Sequence, residues 1–175
     1  CDEAYQDFGG PSAIGLLSQS SRLVVLRTFS KAMGLAGLRF GLALAHPAVS
    51  HEIGKAKLPY NVNVITLAAA RVALRHAPAL LARTRDVVAT RDKFVARLGQ
   101  VPGLTLYPSA ANFVLIRSQH LPAKELFCRL RDEHGILVRD VSDGPDLAGC
   151  LRISIGTSED MDVVIEALRQ ILKDR

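Results

Sequence analysis

The stretch Leu23–Ala45, LVVLRTFSKAMGLAGLRFGLALA, decides how this chain is read. It opens on a short β-branched and leucine run, LVVLR at 23–27, and closes on a near-continuous apolar run, FGLALA at 40–45. Such runs suit strands buried on both faces, as in a parallel sheet covered by helices. Between them stands one lysine, Lys31, among small residues and the glycines Gly34, Gly37 and Gly41, with Arg39 eight positions on. A solvated lysine needs no such company. Glycines let the backbone lie close to a ligand. A lysine held partly buried there loses its proton more readily and attacks carbonyls. The hydroxyls of Thr28 and Ser30 and the guanidinium of Arg39 can hold a phosphate, the arginine in bidentate fashion.

An amine nucleophile beside a phosphate cradle is what pyridoxal 5'-phosphate requires. The ring of that cofactor withdraws electrons best when its pyridine nitrogen stays protonated, which calls for a buried carboxylate. Asp2 lies 29 residues before Lys31, and Tyr5, three further on, can donate a hydrogen bond to the ring's phenolic oxygen. Each signal alone is weak, since a lone lysine is ordinarily a surface residue and a DE pair ordinarily a solvated turn. Together and in this order they are far more specific.

Composition supports a folded chain and excludes several classes. The 175 residues are 49% hydrophobic, enough for a sizeable core in one domain or one and a piece. Arg, Lys or Pro interrupts every apolar stretch before it reaches membrane-spanning length, and no basic-then-apolar leader opens the chain. A soluble, cytoplasmic protein with no membrane partner is expected. The net charge is +5, but the arginines are scattered and there is no Trp. A nucleic-acid surface would show a basic stripe with stacking aromatics, so no nucleic-acid partner is expected. The mild positive balance suits small anions. Cys1, Cys128 and Cys150 are an odd, widely spaced set with no CxxC, and the five histidines form no HExxH, so neither a disulfide framework nor a metal site is expected. Cys128 falls in an apolar helical pattern and reads as a reduced core thiol.

Further along, Pro47 opens a helix through about Gly54, and PYNVN at 59–63 is a connection. Helical patterns follow from Val64 and, after Pro78, along a stripe of Leu80/Leu81, Val87/Val88 and Phe94/Val95. Arg83, Arg85, Arg91 and Arg97 are read as a solvated face. LTLY and NFVLIR are strands split by a PSAA turn. Residues 122–134 form an amphipathic helix, and GILVR and CLRISIG are further strands. The closing helix has Thr157 or Ser158 as its cap, acids in its first turn and a core stripe of Val163/Val164, Leu168 and Ile171/Leu172. The second half is thus a compact α/β unit of ββαβ(β)α order.

DEAYQDF, RTFSKAMGLAGLRFG, PYNVN, YPSAANFVLIR and CLRISIGT, taken in this order, resemble the histidinol-phosphate aminotransferases, within the fold-type-I, aspartate-aminotransferase-like group of pyridoxal-phosphate enzymes. The resemblance covers essentially the whole chain and implies the C-terminal half of a longer enzyme. The fold it implies is α/β: residues 1–62 as the last part of the large domain's parallel sheet, and 63–175 as linking helices and a small C-terminal α/β domain. It implies that Lys31 is the Schiff-base lysine and proton shuttle between the substrate α-carbon and the cofactor C4′. It further implies that Asp2 pairs with the pyridine nitrogen, that Tyr5 bonds the ring oxygen, and that Ser30 and Arg39, with Thr28 as an extra, hold the phosphate. Arg152 would grip the carboxylate of glutamate, a reading its context favours over that of an ordinary exposed arginine on an alternating strand. Asn112 either lies near the substrate or caps the turn before its strand. Tyr60 and Asn61 face the cofactor or a partner subunit, or merely shape a connection.

The activity implied is transfer of an amino group between glutamate and imidazole-acetol phosphate, giving 2-oxoglutarate and histidinol phosphate in histidine biosynthesis, by a homodimer. Alternatives on the same scaffold are an aromatic or other amino-acid aminotransferase and a phosphothreonine decarboxylase. An alternative of another class is a truncated, non-catalytic module.

Overall fold

The computed structural model describes residues 1–173. They divide into two compact units, with the boundary after Arg85.

In the first unit, β1 (Val24–Thr28) pairs antiparallel with β2 (Gly41–Ala45), in a register running from Val24 opposite Ala45 to Thr28 opposite Gly41. Both runs were expected to lie parallel and buried on both faces. They are strands, but antiparallel, and β2 is exposed or half-buried throughout. Apolar content reports how much surface a strand offers for burial, not its direction. The 12-residue connection between them is also at the length where either direction is possible. The parallel neighbour of β1 is the short segment Cys1–Glu3. Asp2 bridges to Leu26, with the Leu26 amide bonded to the Cys1 carbonyl and the Glu3 amide to the Leu26 carbonyl, both at 2.9 Å.

Three helices follow. Helix α1 (Pro47–Ala56) starts on a proline at its first position, where the missing N–H costs nothing, and the Ala48 amide donates to His46 Nδ1 at 3.3 Å. Asn63 caps α2 (Val64–Arg75) by accepting from the Thr66 amide at 2.8 Å. Helix α3 (Ala77–Leu98) begins one residue after α2 ends, so Pro78 sits in the first turn of a new helix. No single helix among the described residues is long and apolar enough to cross a membrane.

The second unit takes the rest of α3 and a four-stranded antiparallel sheet of order β3-β4-β6-β5, made of β3 (Leu104–Leu106), β4 (Phe113–Ser118), β5 (Arg139–Asp140) and β6 (Cys150–Ser154). Helices α4 (Ala123–His134) and α5 (Ser158–Lys173) complete it. Strand alternation sends Val114, Ile116, Leu151 and Ile153 to one face, where they are buried with Phe94, Leu98, Leu126, Leu130, Ile165, Leu168 and Ile171. The opposite face carries Phe113, Leu115, Arg117, Cys150, Arg152 and Ser154.

Four expectations need correction. GILVR is not a strand along its length. Gly135, at φ +66°, ends α4 and turns Ile136 back so that its amide bonds to the Leu130 carbonyl at 2.9 Å, and β5 begins only at Arg139. Val163 is 57% exposed, and the buried line of α5 is Met161, Val164, Ile165, Leu168 and Ile171. Arg91 is buried, on the same line as Thr84 and Leu98 at a spacing of seven; its Nη1 donates to the Ala111 carbonyl at 3.1 Å. Cys128 is half-buried, whereas Cys150 is the buried thiol.

Two outcomes follow from this packing. Leu168 is fully buried at the centre of the second unit's core, so Leu168→Ala should cost about 2–5 kcal/mol of stability, read as a lower urea midpoint. Helix α5 begins with a reciprocal cap: the Asp160 amide donates to Thr157 Oγ1 at 3.1 Å, and the Thr157 amide donates to the Asp160 carboxylate at 2.8 Å. Thr157→Ala should cost about 1 kcal/mol. The Thr157 amide, followed by its hydroxyl, holds the Asp160 carboxyl below its ordinary value. The carboxylate's contribution is therefore complete above the ordinary aspartate range and disappears as pH falls through the depressed folded value, a loss that Asp160→Asn should abolish in acid titrations of stability.

Candidate active site

The loop from Phe29 to Phe40 is drawn into a closed knot. The Phe29 amide bonds to the Phe40 carbonyl at 3.2 Å, the Leu35 amide bonds to the Phe29 carbonyl at 2.9 Å, and the two phenyl rings meet edge to face at 5.1 Å. Ala70 and Ala73 of α2 pack with Phe29, and Met33, Leu35, Phe40 and Leu80 close around them. The apolar residues of the loop are thus consumed in fixing it to α2, and Lys31 is left outside the knot with its amine free. Its Nζ stands 5.2 Å from the centre of the Tyr5 ring.

Two glycines here have a geometric reason. Gly34 adopts φ +70°, and a Cβ on Gly41 would come within 2.9 Å of the Arg27 carbonyl oxygen. A Cβ on Gly34 or Gly37 would meet nothing within 4 Å, so both face open space.

The other residues expected at this site are distributed as follows. Asp2 sits on the segment paired with β1; its Oδ1 accepts the Ala4 amide at 2.9 Å. Three residues on, Tyr5 carries the ring beneath Lys31. The Thr28 hydroxyl accepts the Ser30 amide at 3.1 Å and reaches the Phe40 carbonyl at 3.5 Å, so it shapes the turn into the loop. The Ser30 hydroxyl makes no hydrogen bond among the described residues. Arg39 closes the short 3-10 turn Ala36–Leu38 with its backbone at φ 52°, and its Nη1 donates to the Ala36 carbonyl at 3.0 Å. Lys31 was expected to be partly buried and Asp2 to be buried; both are exposed. Helix α2 packs behind the loop, on the phenylalanines, and not over the amine.

An amine, a carboxylate, a phenol, a free hydroxyl and a guanidinium, spread around a loop with open space beside it, form a donor set that fits pyridoxal phosphate. The amine can bond its aldehyde, the carboxylate its ring nitrogen, and the hydroxyl and guanidinium its phosphate.

In the second unit, alternation places Arg152 on the sheet face away from the helices. Its guanidinium carbon lies 5.1 Å from the centre of the Phe113 ring, and its buried Nε has no hydrogen-bond partner. Asn112 leads into β4. Its carbonyl accepts the Ile155 amide at 2.9 Å, extending the β4–β6 ladder by one bond, and its side chain makes no hydrogen bond among the described residues. The turn before β4 is capped by Ser109 instead, whose hydroxyl accepts the Ala111 amide at 3.1 Å. That removes the capping role from the Asn112 side chain and leaves its amide available.

Two features were not read from the sequence. Arg139 of β5 is the direct cross-strand partner of Arg152. Like charges opposite one another destabilise a ladder, and an anion between them would reverse that. Pairing GILVR against CLRISIG would have exposed this, but the register could not be known in advance. The second is Glu3, buried at 5% exposure and bonded to Arg27 at 2.8 Å. The hint was a charged residue at the end of the otherwise apolar LVVLR.

Comparison with known proteins places this geometry. The family model for aminotransferase class I and II matches residues 1–168. The chain is 41% identical over 170 residues to a histidinol-phosphate aminotransferase of Chromobacterium violaceum, covering 97% of this chain and 47% of that protein. Among solved structures it is similar to a histidinol-phosphate aminotransferase from Sinorhizobium meliloti in complex with pyridoxal-5'-phosphate (TM-score 0.81, 31% identity, 99% of this chain, 48% of that one). It is similar also to an L-threonine-O-3-phosphate decarboxylase from Porphyromonas gingivalis (TM-score 0.88, 26% identity, 98% and 54%). The chain spans about half the length of these relatives. With a lysine-bearing loop between two strands, an acidic segment paired beside it and a family match running almost end to end, the chain belongs to the aminotransferase class I and II family.

Proposed function

We propose that this chain is the lysine- and carboxylate-binding part of a pyridoxal-phosphate-dependent aminotransferase that exchanges an amino group between glutamate and imidazole-acetol phosphate, giving 2-oxoglutarate and histidinol phosphate. The observation that carries the proposal is the placement of the Lys31 amine 5.2 Å from the Tyr5 ring, three residues along the chain from Asp2. The 41% identity to the Chromobacterium enzyme supports the choice of substrates. The complete enzyme is proposed to be a homodimer.

Each residue then has a task. Bound pyridoxal phosphate supplies the electron sink that makes a substrate α-proton acidic. Lys31 would hold it through its amine and, once freed by an incoming donor amine, would serve as the base that takes the proton from the substrate α-carbon and gives it back. Asp2 keeps the ring nitrogen protonated. Tyr5 bonds the ring oxygen. Ser30 and Arg39 hold the phosphate, while Thr28 holds the turn that presents them. In the second unit, Arg152 takes the glutamate carboxylate in a bidentate grip, backed by the Phe113 face, and the unpaired amide of Asn112 is a further polar contact for substrate.

A second reading, phosphothreonine decarboxylation, is favoured by the similarity to the Porphyromonas structure. The two differ in what leaves the substrate: an amino group, with 2-oxoglutarate formed from glutamate, or carbon dioxide from an amino-acid phosphate.

The test is borohydride reduction of the full-length protein with pyridoxal phosphate, then peptide mapping. Label should appear on Lys31. Lys31→Ala should lose the label and reduce transamination by about 10²–10⁴-fold or more; label elsewhere with activity retained would contradict the assignment. Arg152→Ala should raise the KM for glutamate by about 30-fold or more, matching loss of a desolvated charge pair, with cofactor binding unchanged. Release of carbon dioxide from phosphothreonine without 2-oxoglutarate formation would select the second reading.

A further inference from the structure

Glu3 is the only carboxylate buried among the described residues, and the chemistry above does not use it. Its oxygens collect an unusual number of donors: Arg27 Nη2 at 2.8 Å, Ser12 Oγ at 2.9 Å and the Ala13 amide at 2.5 Å. Arg27 in turn donates through Nη1 to Asp7 at 3.2 Å and through Nη2 to Ser12 at 3.2 Å. Burial pushes the Glu3 carboxyl up, but the Ala13 amide, the Ser12 hydroxyl and the Arg27 guanidinium together pull it below its ordinary value, so it is ionised.

The position of this network matters more than its strength. Arg27 is in β1, whose end leads to Lys31. Glu3 is the neighbour of Asp2, and Asp7 lies two residues beyond Tyr5. The segment that carries Asp2 is otherwise joined to β1 by three backbone bonds: the Cys1 amine to the Val24 carbonyl at 2.7 Å, the Leu26 amide to the Cys1 carbonyl and the Glu3 amide to the Leu26 carbonyl. A one-residue slip in such a pairing turns every side chain to the opposite face. It would bury Asp2 and expose Glu3. A buried ion pair is weak as a source of stability, since desolvation offsets most of the attraction, and its best-attested use is to fix register. Here only one register lets the Glu3 carboxylate meet Arg27, and that register leaves Asp2 on the open side.

We propose that Glu3 and Arg27 are positioning residues for the cofactor: their ion pair, buried at Glu3 and half-buried at Arg27 and backed by Ser12 and Asp7, locks the 1–7 segment in register on β1 and so sets Asp2 and Tyr5 against Lys31. This rests on the reading that Asp2, Tyr5 and Lys31 hold pyridoxal phosphate.

The experiment uses full-length protein carrying Glu3→Gln, Arg27→Lys, Asp2→Asn, Lys31→Ala, and Glu3→Gln combined with Asp2→Asn. Glu52→Gln, which removes an exposed pair with Lys55, is the control. Three quantities are measured: thermal stability of the apoprotein, the dissociation constant for pyridoxal phosphate, and the pH titration of the bound cofactor's visible absorbance. Glu3→Gln should fold and bind the cofactor about 10-fold or more weakly, the size typical when a supporting partner of a ligand is lost. It should also move the absorbance titration, and that movement should shrink in the Asp2→Asn background, because part of the effect passes through Asp2. Arg27→Lys should show the same pattern more weakly, and it decides the matter if Glu3→Gln does not fold. Folded variants with cofactor affinity and titration like those of Glu52→Gln would overturn the proposal. So would a Glu3→Gln effect that adds fully to Asp2→Asn. Failure of the underlying reading looks different, since Lys31→Ala would then keep the cofactor's absorbance and reducible label.

Discussion

The first unit depends on the occupation of both edges of β1. A strand with unpaired amides and carbonyls is costly when buried and adhesive when exposed. Here β2 takes one edge antiparallel and Cys1–Glu3 takes the other in parallel. Three pieces of chain distant in sequence are thereby brought to one place. The acidic segment arrives with Asp2 and Tyr5, β1 delivers Lys31 at its far end, and β2 returns the loop so that Phe40 can close on Phe29. Val25, fully buried in the middle of β1, anchors the arrangement. The chemistry attributed to Lys31 is thus a consequence of pairing, and a lysine at the same place in an unpaired loop would have no reason to face a phenol.

The second unit reaches its arginine by a different rule. A sheet with helices on one side must send alternate residues to the other, and that open side is where Arg152, Arg139 and Arg117 stand. The aromatic rings of Phe113 and Tyr107 lie under two of them, at 5.1 and 5.6 Å from the guanidinium carbons. The rings desolvate one side of each cation without neutralising it. A planar, dry-backed guanidinium is well suited to receive a carboxylate edge-on. The core is packed on one side of the sheet so that the charge can be held on the other.

Much of this was readable in the residues, for identifiable reasons. Helices α1 and α5 announce themselves through Pro47 and Thr157 at their starts, and the longer helices through apolar stripes along one face. Strands β1, β2, β4 and β6 show as apolar or alternating runs. The nearness of Lys31 to Tyr5, 5.2 Å from amine to ring centre, is in keeping with the demands of one cofactor on one chain. What failed were matters of direction, register and burial of charge. Apolar content could not say that β2 runs against β1. Nothing local marked that Ile136 spends its amide on α4, which shortens β5. Arg91 lies on the buried line at a spacing of seven from Thr84 and Leu98, but its charge argued for the solvated side. It is buried because a carbonyl at Ala111, 20 residues away, receives it. Glu3 was invisible for the same reason: a long-range partner decides its fate. The family match shows the family and leaves the roles of individual residues to be argued from the structure.

Arg39 holds its backbone in a conformation where a residue with a side chain pays a steric cost of about 1–2 kcal/mol and glycine pays none. Glycine is abundant in this loop, at 34, 37 and 41, yet the left-handed corner itself is given to arginine. A tighter, calmer apoprotein was available by a single exchange to glycine, and such a change would relax the corner while silencing the cation. The loop is therefore balanced against itself. The corner carries a steric cost, and in return the guanidinium is held at one place by the Ala36 carbonyl.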